Sequence, residues 1–184
     1  MKAGSRRAIF IDRDGTLILD KDYLHRPEEV QFIDGAIHAL KRASDAGFVI
    51  IMVTNQSGVG RGYFTLDDVE NVHAYIIREL ARENVSLLEI YVAPEAPEAP
   101  SRGRKPSPQF LFDARDAHGI DLSRSYMVGD KLIDLESGWN AGVRKSILVR
   151  TGYGKNVESM EASKLRDAIV ADDINAAIDW ILNE

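Results

Sequence analysis

The fold is decided by the stretch AIFIDRDGT, residues 8–16. Its first four residues are apolar, a pattern typical of a strand that is buried in a parallel sheet. Asp12 and Asp14 then follow at the carboxyl end of the strand, where open α/β sheets bind ligands. Two carboxylates this close repel each other, so we expect a bound cation beside them. One of them could also attack phosphorus and form an aspartyl-phosphate. An acidic turn after a strand is the alternative interpretation of this motif taken alone.

Apolar runs alternate with amphipathic stretches along the rest of the chain. Further strands are predicted from Phe48, Leu87, Tyr126, Ser146 and Ile169. Repeated strand–helix–strand units predict an α/β fold with a doubly wound, mainly parallel, Rossmann-like sheet and helices on both faces. No insertion is long enough for a large cap domain, so we expect residues 1–184 to form a single domain with an open site.

Some segments carry weaker signals, and their predictions are less detailed. Residues 17–33 mix polar and apolar side chains and are interpreted as a small flap or hairpin. The glycine-rich segment at residues 57–62 is interpreted as a flexible turn that presents Arg61. Residues 153–164 are interpreted as a loose polar loop. Three histidines lie on predicted helices and are expected at the surface: His38, His73 and His118.

The composition is that of an ordinary soluble protein and excludes several classes of function. The chain has 184 residues, 45% of them hydrophobic and 28% charged, with a net charge of −6. This charge argues against nucleic acid or an anionic membrane as a partner. Because there is no cysteine, disulfides and thiolate-bound metals are excluded, which fits a cytoplasmic protein. The apolar run before Asp12 is too short for a signal peptide. We expect a monomer.

Polar side chains suited to phosphate chemistry follow most of the predicted strands. They are Asp12 and Asp14; Thr54, Asn55, Gln56 and Ser57; Arg104 and Lys105; and Asp130, Lys131 and Asp134. Because the carboxyl ends of parallel strands meet at one edge of a sheet, we expect these groups to lie close together. Carboxylate oxygens are the ligands of Mg²⁺, and hydroxyl, amide and ammonium groups can donate to a phosphate.

The order of these motifs resembles that of the haloacid dehalogenase superfamily of phosphotransferases. The shared features are D-x-D-G-T, an apolar strand ending in threonine, a lysine, and G-D-x-x-x-D, which together cover most of the chain. The resemblance implies that Asp12 is the nucleophile and that Asp14 is the general acid and later the base. It implies that Mg²⁺ is held by Asp12, Asp130 and the backbone carbonyl of Asp14. Asp134 would orient Lys105 or a metal-bound water.

A finer resemblance is to the heptose bisphosphate phosphatases, which are kin of the histidinol-phosphate phosphatases. It is carried by D-R-D-G-T, T-N-Q-S-G, R-K-P and V-G-D-K. It implies removal of the 7-phosphate of D-glycero-D-manno-heptose 1,7-bisphosphate, a phosphorylated sugar. The substrate contacts it implies are Asp20, Lys21, Asp22, Tyr23, Thr54, Asn55, Gln56, Ser57, Arg104, Lys105 and Lys131. Arg104 and Arg61 would serve the phosphate that is not cleaved. Two alternatives to this function remain. The substrate could be histidinol phosphate or a small phosphorylated sugar, or the protein could have a non-catalytic or protein-directed role.

One departure from these relatives concerns a zinc site. By the resemblance, both commonly hold a structural zinc through three cysteines and a histidine in the loop before the R-K-P motif. The matching positions here are Ala93, Glu95, Ser101 and Gly103, which are a poor ligand set for zinc. We therefore expect Mg²⁺ as the cofactor and no zinc.

Overall fold

A computed structural model describes residues 6–184, in which six parallel strands form one sheet. The strands are β1 (Arg7–Ile11), β2 (Phe48–Asn55), β3 (Leu87–Ala93), β4 (Tyr126–Gly129), β5 (Lys145–Val149) and β6 (Ile169–Ala171). Their spatial order is β3-β2-β1-β4-β5-β6, so β1 lies between β2 and β4. The doubly wound parallel sheet predicted from the sequence is therefore confirmed.

Helices cover both faces of the sheet. They are α1 (Ala36–Asp45), α2 (Ser57–Gly60), α3 (Leu66–Arg82), α4 (Gln109–His118), α5 (Leu132–Ala141), α6 (Gly154–Met160) and α7 (Ile174–Asn183). Single 3₁₀ turns span Pro27–Glu29, Leu122–Arg124 and Ala162–Lys164. The connections include no large cap among residues 6–184, so no separate domain covers the carboxyl ends of the strands.

The alternation of side chains along β1 explains how one short strand serves two cores. Ile9 and Ile11 pack with α1, α3 and α7, whereas Ala8 and Phe10 pack with α4 on the opposite face. All four are fully buried. Since burying an aliphatic or aromatic side chain contributes about 1.5–3 kcal/mol, this strand anchors both layers and fixes the position of Asp12 at its end.

Helix α3 confirms the predicted start and corrects one expectation about its surface. Thr65 forms a capping box with Asp68, as the sequence indicates. His73 was expected at the surface, and this expectation is wrong, because its side chain is buried on the inner face of the helix between Val72 and Ile76.

Two loop predictions also need correction. Residues 153–164 contain α6, whose Val157 packs against Leu135 and Leu148, and Arg150 binds Glu158 of the same helix. Residues 57–62 begin with the short helix α2 instead of a flexible turn. Residues 17–33, interpreted as a small flap or hairpin, contain an isolated antiparallel bridge between Ile18 and Phe32 and no regular strand, and buried side chains hold this segment in place.

Between residues 6 and 184, no helix combines the length and the apolar character that crossing a membrane requires.

Candidate active site

Three carboxylates meet at the carboxyl edge of the sheet. Asp12 follows β1, Asp130 follows β4, and Asp134 lies in the first turn of α5. One oxygen of each lies within 4.8 Å of the others, and all three residues are buried. They meet because β1 and β4 are neighbours and Asp12 donates its backbone N–H to the carbonyl of Val128. The arrangement concentrates negative charge where the sequence predicts a metal site.

Lys105 supplies a buried cation to this cluster. Its Nζ lies 2.5 Å from Oδ1 of Asp12 and 2.6 Å from Oδ1 of Asp134, and it donates to the carbonyl of Val53 at 2.8 Å. Burial disfavours the ammonium form, but the carboxylates of Asp12 and Asp134 outweigh it, so the pKa of Lys105 lies above its usual value. Lys105 therefore stays charged and fixes the orientation of the Asp12 carboxylate.

Asp130 remains short of positive charge. Burial, followed by the carboxylates of Asp12 and Asp134, raises the pKa of Asp130 to about 8. Its Oδ2 accepts from the backbone N–H of Tyr153 at 2.8 Å, whereas its buried Oδ1 has no hydrogen-bond partner. An unpartnered carboxylate oxygen beside two further carboxylates is the donor set that Mg²⁺ prefers, so these residues fit the metal.

Two glycines leave the space that Asp130 occupies. A Cβ atom at Gly15 would lie 2.3 Å from Oδ2 of Asp130, and one at Gly152 would lie 2.2 Å from the same oxygen. Both glycines have positive φ angles, 84° and 53°. Thr151 ties the two loops together by donating its hydroxyl to the carbonyl of Gly15 at 2.6 Å. The carboxylate is thus held between two loops that only glycine fits.

Asp14 is oriented by a buried network that the sequence did not reveal. Arg13 Nε lies 2.9 Å from its Oδ2, and Gln56 Nε2 donates to the same oxygen at 3.0 Å. Gln56 also donates to the Thr54 hydroxyl at 2.8 Å and accepts from Arg13 at 3.1 Å. The resemblance implies that Gln56 and Thr54 contact the substrate; in the structure the Gln56 amide is hydrogen-bonded to Asp14, Thr54 and Arg13.

Asn55 holds the backbone of Lys105 in place. Its Oδ1 accepts from the Lys105 N–H at 3.0 Å, and its Nδ2 donates to the Lys105 carbonyl at 3.1 Å. This pair of hydrogen bonds joins the end of β2 to the loop between β3 and α4, 50 residues further along the chain. Asn55 therefore positions the buried lysine, a role that residue type and spacing alone could not indicate.

The mouth of the site is a cavity of about 220 Å³ beside Asp14. Lys131 lies at its edge, with Nζ 3.3 Å from Oδ2 of Asp20 and 4.6 Å from the centre of the Tyr153 ring. The predicted contact residues that line this cavity are Asp20, Asp22, Tyr23, Asn55, Gln56, Ser57 and Lys131. Lys21 is not among them, because its Nζ donates to the carbonyl of Glu29 at 2.7 Å.

Arg104 stands beside a smaller cavity of about 160 Å³, which Asp12, Lys105 and Asp134 also line. Its guanidinium donates to the carbonyl of Glu95 at 3.1 Å. Burial, followed by the charge of the neighbouring Arg61 guanidinium, lowers the pKa of Arg104. Arg61 contacts Glu98 at 3.5 Å. An anionic group would relieve the repulsion between the two arginines.

The loop before Lys105 is closed by hydrogen bonds. The Ser101 hydroxyl donates to Glu95 at 2.7 Å and accepts from the Arg104 N–H at 3.1 Å. Glu95 and Ser101 are two of the four positions that match zinc ligands in the resembled families. The Ser101–Glu95 and Arg104–Glu95 hydrogen bonds therefore connect the beginning of this loop to its end.

Comparison with known proteins places this constellation in a family. A family model described as polynucleotide kinase 3 phosphatase matches residues 7–138, and one described as HAD-hydrolase-like matches residues 103–177. The chain belongs to the haloacid dehalogenase superfamily. Like the relatives that match it over nearly their full length, it is a phosphatase, and its α/β fold is the one that the sequence motifs predicted.

Curated relatives that match nearly the full chain are sugar phosphatases. The D-glycero-beta-D-manno-heptose-1,7-bisphosphate 7-phosphatase of Escherichia coli (strain K12) is 39% identical over 98% of this chain and 91% of its own. The enzyme of that name from Yersinia pestis is 37% identical, over 96% and 89% of the two chains.

Solved structures agree with this relationship. The D,D-heptose 1,7-bisphosphate phosphatase of B. bronchiseptica, complexed with magnesium and phosphate, superposes with a TM-score of 0.89 at 29% identity, over 96% of this chain and 98% of its own. The D,D-heptose 1,7-bisphosphate phosphatase of Burkholderia thailandensis gives a TM-score of 0.73 at 27% identity, over 97% and 100% of the two chains.

Proposed function

We propose that this phosphatase removes the 7-phosphate of D-glycero-D-manno-heptose 1,7-bisphosphate through an aspartyl-phosphate on Asp12. The observation that carries the proposal is the buried Asp12–Lys105 pair beside a cavity that Arg104 also lines, with Arg61 as a second cation near Arg104. The names of the relatives that match over nearly the full chain support the choice of sugar. We further propose that the chain acts as a single domain, in the cytoplasm, as a monomer that binds neither nucleic acid nor membranes.

The proposed reaction has two steps, the transfer of the phosphoryl group to Asp12 and its hydrolysis by water. In the first, a carboxylate oxygen of Asp12 attacks phosphorus, the bond from phosphorus to the sugar oxygen breaks, and Asp14 gives that oxygen a proton. In the second, Asp14 takes a proton from a water that attacks the phosphoryl group, which releases phosphate and restores Asp12. Lys105 orients Asp12 throughout, and Arg13 and Gln56 hold Asp14 beside the cavity.

The metal would be held by Asp12, Asp130 and the backbone carbonyl of Asp14. When bound, Mg²⁺ supplies charge that neutralises the carboxylates and the phosphate oxygens. Asp134 contacts Lys105 at 2.6 Å and accepts from the Lys131 N–H at 2.9 Å, so we propose that it orients these two lysines.

A side-by-side specificity panel tests the proposed substrate. It should contain the heptose 1,7-bisphosphate, other sugar bisphosphates and histidinol phosphate, each assayed for phosphate release with Mg²⁺. We expect the heptose bisphosphate to have the highest kcat/KM. Histidinol phosphate carries a cationic amine that Arg104 and Arg61 would repel, so we expect it to be a poor substrate. A preference for histidinol phosphate would instead favour the alternative function.

Replacing Arg104 by alanine should separate the two phosphates of the substrate. We expect kcat/KM for the heptose bisphosphate to fall. The fall should correspond to a loss of about 1.5–3 kcal/mol of transition-state stabilisation, the contribution of a hydrogen bond to a charged group. Hydrolysis of p-nitrophenyl phosphate should change little, because it has no second phosphate. Arg102→Ala is the matched control, since Arg102 lies in the same loop but pairs with Asp113. Equal losses on both substrates would place Arg104 at the cleaved phosphate.

The metal requirement is the next expectation. We expect turnover to need Mg²⁺, because the carboxylate cluster offers oxygen ligands. We expect it to survive a zinc-selective chelator, because Glu95, at one of the four positions that match zinc ligands, accepts a hydrogen bond from Ser101. Elemental analysis of the purified protein is the measurement. One tightly held zinc per chain would contradict this interpretation of the loop.

A further inference from the structure

His73 is a buried titratable side chain to which the proposed reaction gives no role. It lies on the inner face of α3, and only 6% of its surface is exposed. Its Nε2 lies 3.3 Å from Nη1 of Arg13, which is itself 1% exposed. A buried polar side chain needs a hydrogen-bond partner, and Arg13 is the partner of this nitrogen.

The chemistry of the pair fixes the state of the histidine. A guanidinium can only donate hydrogen bonds, so Nε2 of His73 must accept, and the ring must carry its proton on Nδ1. Burial, and next the charge of Arg13, lowers the pKa of His73 to about 3. The ring is therefore neutral near neutral pH and acts as a fixed acceptor for Arg13.

Arg13 passes this fixed position on to Asp14. Its Nε and Nη2 bind the two oxygens of Asp14 at 2.9 and 3.1 Å, and Nη2 also donates to the carbonyl of Leu24 and to Gln56. His73 takes Nη1, the one guanidinium nitrogen that Asp14 does not use. All three nitrogens of the guanidinium are therefore held, and the guanidinium plane sets the plane of the Asp14 carboxylate.

We propose that His73 is a positioning residue, which holds Arg13 in the orientation that aims the Asp14 carboxylate for proton transfer. This inference rests on the acid and base role proposed above for Asp14. The inference assigns a role to α3 through His73. No side chain of α3 lines the cavity beside Asp14.

Leaving-group dependence distinguishes positioning from a general loss of structure. Protonation by Asp14 matters for a sugar oxygen, which is a poor leaving group, and much less for p-nitrophenolate. In His73→Leu we expect kcat/KM to fall about tenfold for the heptose bisphosphate, a part of the ~10²–10⁴-fold that proton transfer contributes. For p-nitrophenyl phosphate we expect less than about a threefold loss. An equal loss on both substrates would overturn the inference.

Two matched variants sharpen the comparison. His73→Gln should recover most of the lost activity on the heptose bisphosphate, because its amide oxygen can accept from Arg13. His38→Leu, the same exchange at an exposed position of α1, should behave as the unmodified enzyme. Thermal unfolding of each variant identifies those that fold, and His73→Met provides a second apolar replacement for the same assay. Failure of His73→Gln to recover activity while folded would contradict the proposed acceptor role.

A double-mutant cycle with Asp14→Asn tests the path through Asp14. In that background we expect His73→Leu to add little further loss in kcat/KM, because the carboxylate that it positions is already gone. Losses that multiply independently would show that His73 acts elsewhere and would overturn the inference alone. Wild-type activity in Asp14→Asn itself would instead overturn the proposed role of Asp14, so the two failures are distinguishable.

Discussion

Asp12→Asn is expected to abolish turnover while leaving the protein folded. The amide is a poor nucleophile and a weaker metal ligand than a carboxylate, so both proposed roles of Asp12 are lost together. The change also removes one of the two carboxylates beside the buried ammonium of Lys105, but Asp134 remains at 2.6 Å to pair with it. The measurement is steady-state phosphate release from the heptose bisphosphate and from p-nitrophenyl phosphate.

The control for this prediction is Asp67→Asn, the same exchange at an exposed position in the first turn of α3. It should keep the activity of the unmodified enzyme. Thermal unfolding of both variants separates a chemical loss from a loss of fold. Retention of wild-type turnover in folded Asp12→Asn would remove Asp12 from the mechanism.

Asp14→Asn should give a loss of ~10²–10⁴-fold, the usual contribution of a general acid or base. The nucleophile is intact in this variant, so the first step should still proceed with a good leaving group. The second step needs a base to activate water and should be slow. Rapid mixing with p-nitrophenyl phosphate is therefore expected to release one equivalent of nitrophenol per site before a slow steady state.

The phosphoenzyme that accumulates offers an independent measurement. Acid quenching of Asp14→Asn should trap more labelled phosphate on the protein than quenching of the unmodified enzyme. If both steps keep their normal rates, Asp14 is neither acid nor base in this reaction.

The sequence predicted the sheet well because each strand is an apolar run, and β1, β2 and β4 are each followed directly by polar residues of the predicted site. The predicted run at residues 8–11 lies within β1, and β2 begins at Phe48 as predicted. Helix α6 was missed because its buried residues are few, Gly154 and Val157, and give no helical periodicity. Its position depends on packing against Leu135 of α5 and Leu148 of β5, contacts that only the tertiary structure reveals.

The candidate site was predicted by residue type, but the partners of its polar groups were not. Asp12, Asp130, Asp134 and Lys105 come together as their motifs implied, and their chemical roles stay predictions. Asn55 and Gln56 bind other protein groups, which only the tertiary structure reveals. His73 did carry a signal, since it lies four residues after Val69 on the apolar stripe of α3.

The central position of β1 has a consequence for the order in which this chain can fold during synthesis. Ile9, Phe10 and Ile11 pair with β4 through Tyr126, Met127 and Val128, so one edge of β1 stays open until those residues have left the ribosome. An open, apolar strand edge is a site where another nascent chain can pair. The segment that closes this edge continues directly into Asp130. The pairing of β4 with β1 therefore covers the open strand edge and, in the same step, brings Asp130 to the proposed metal site.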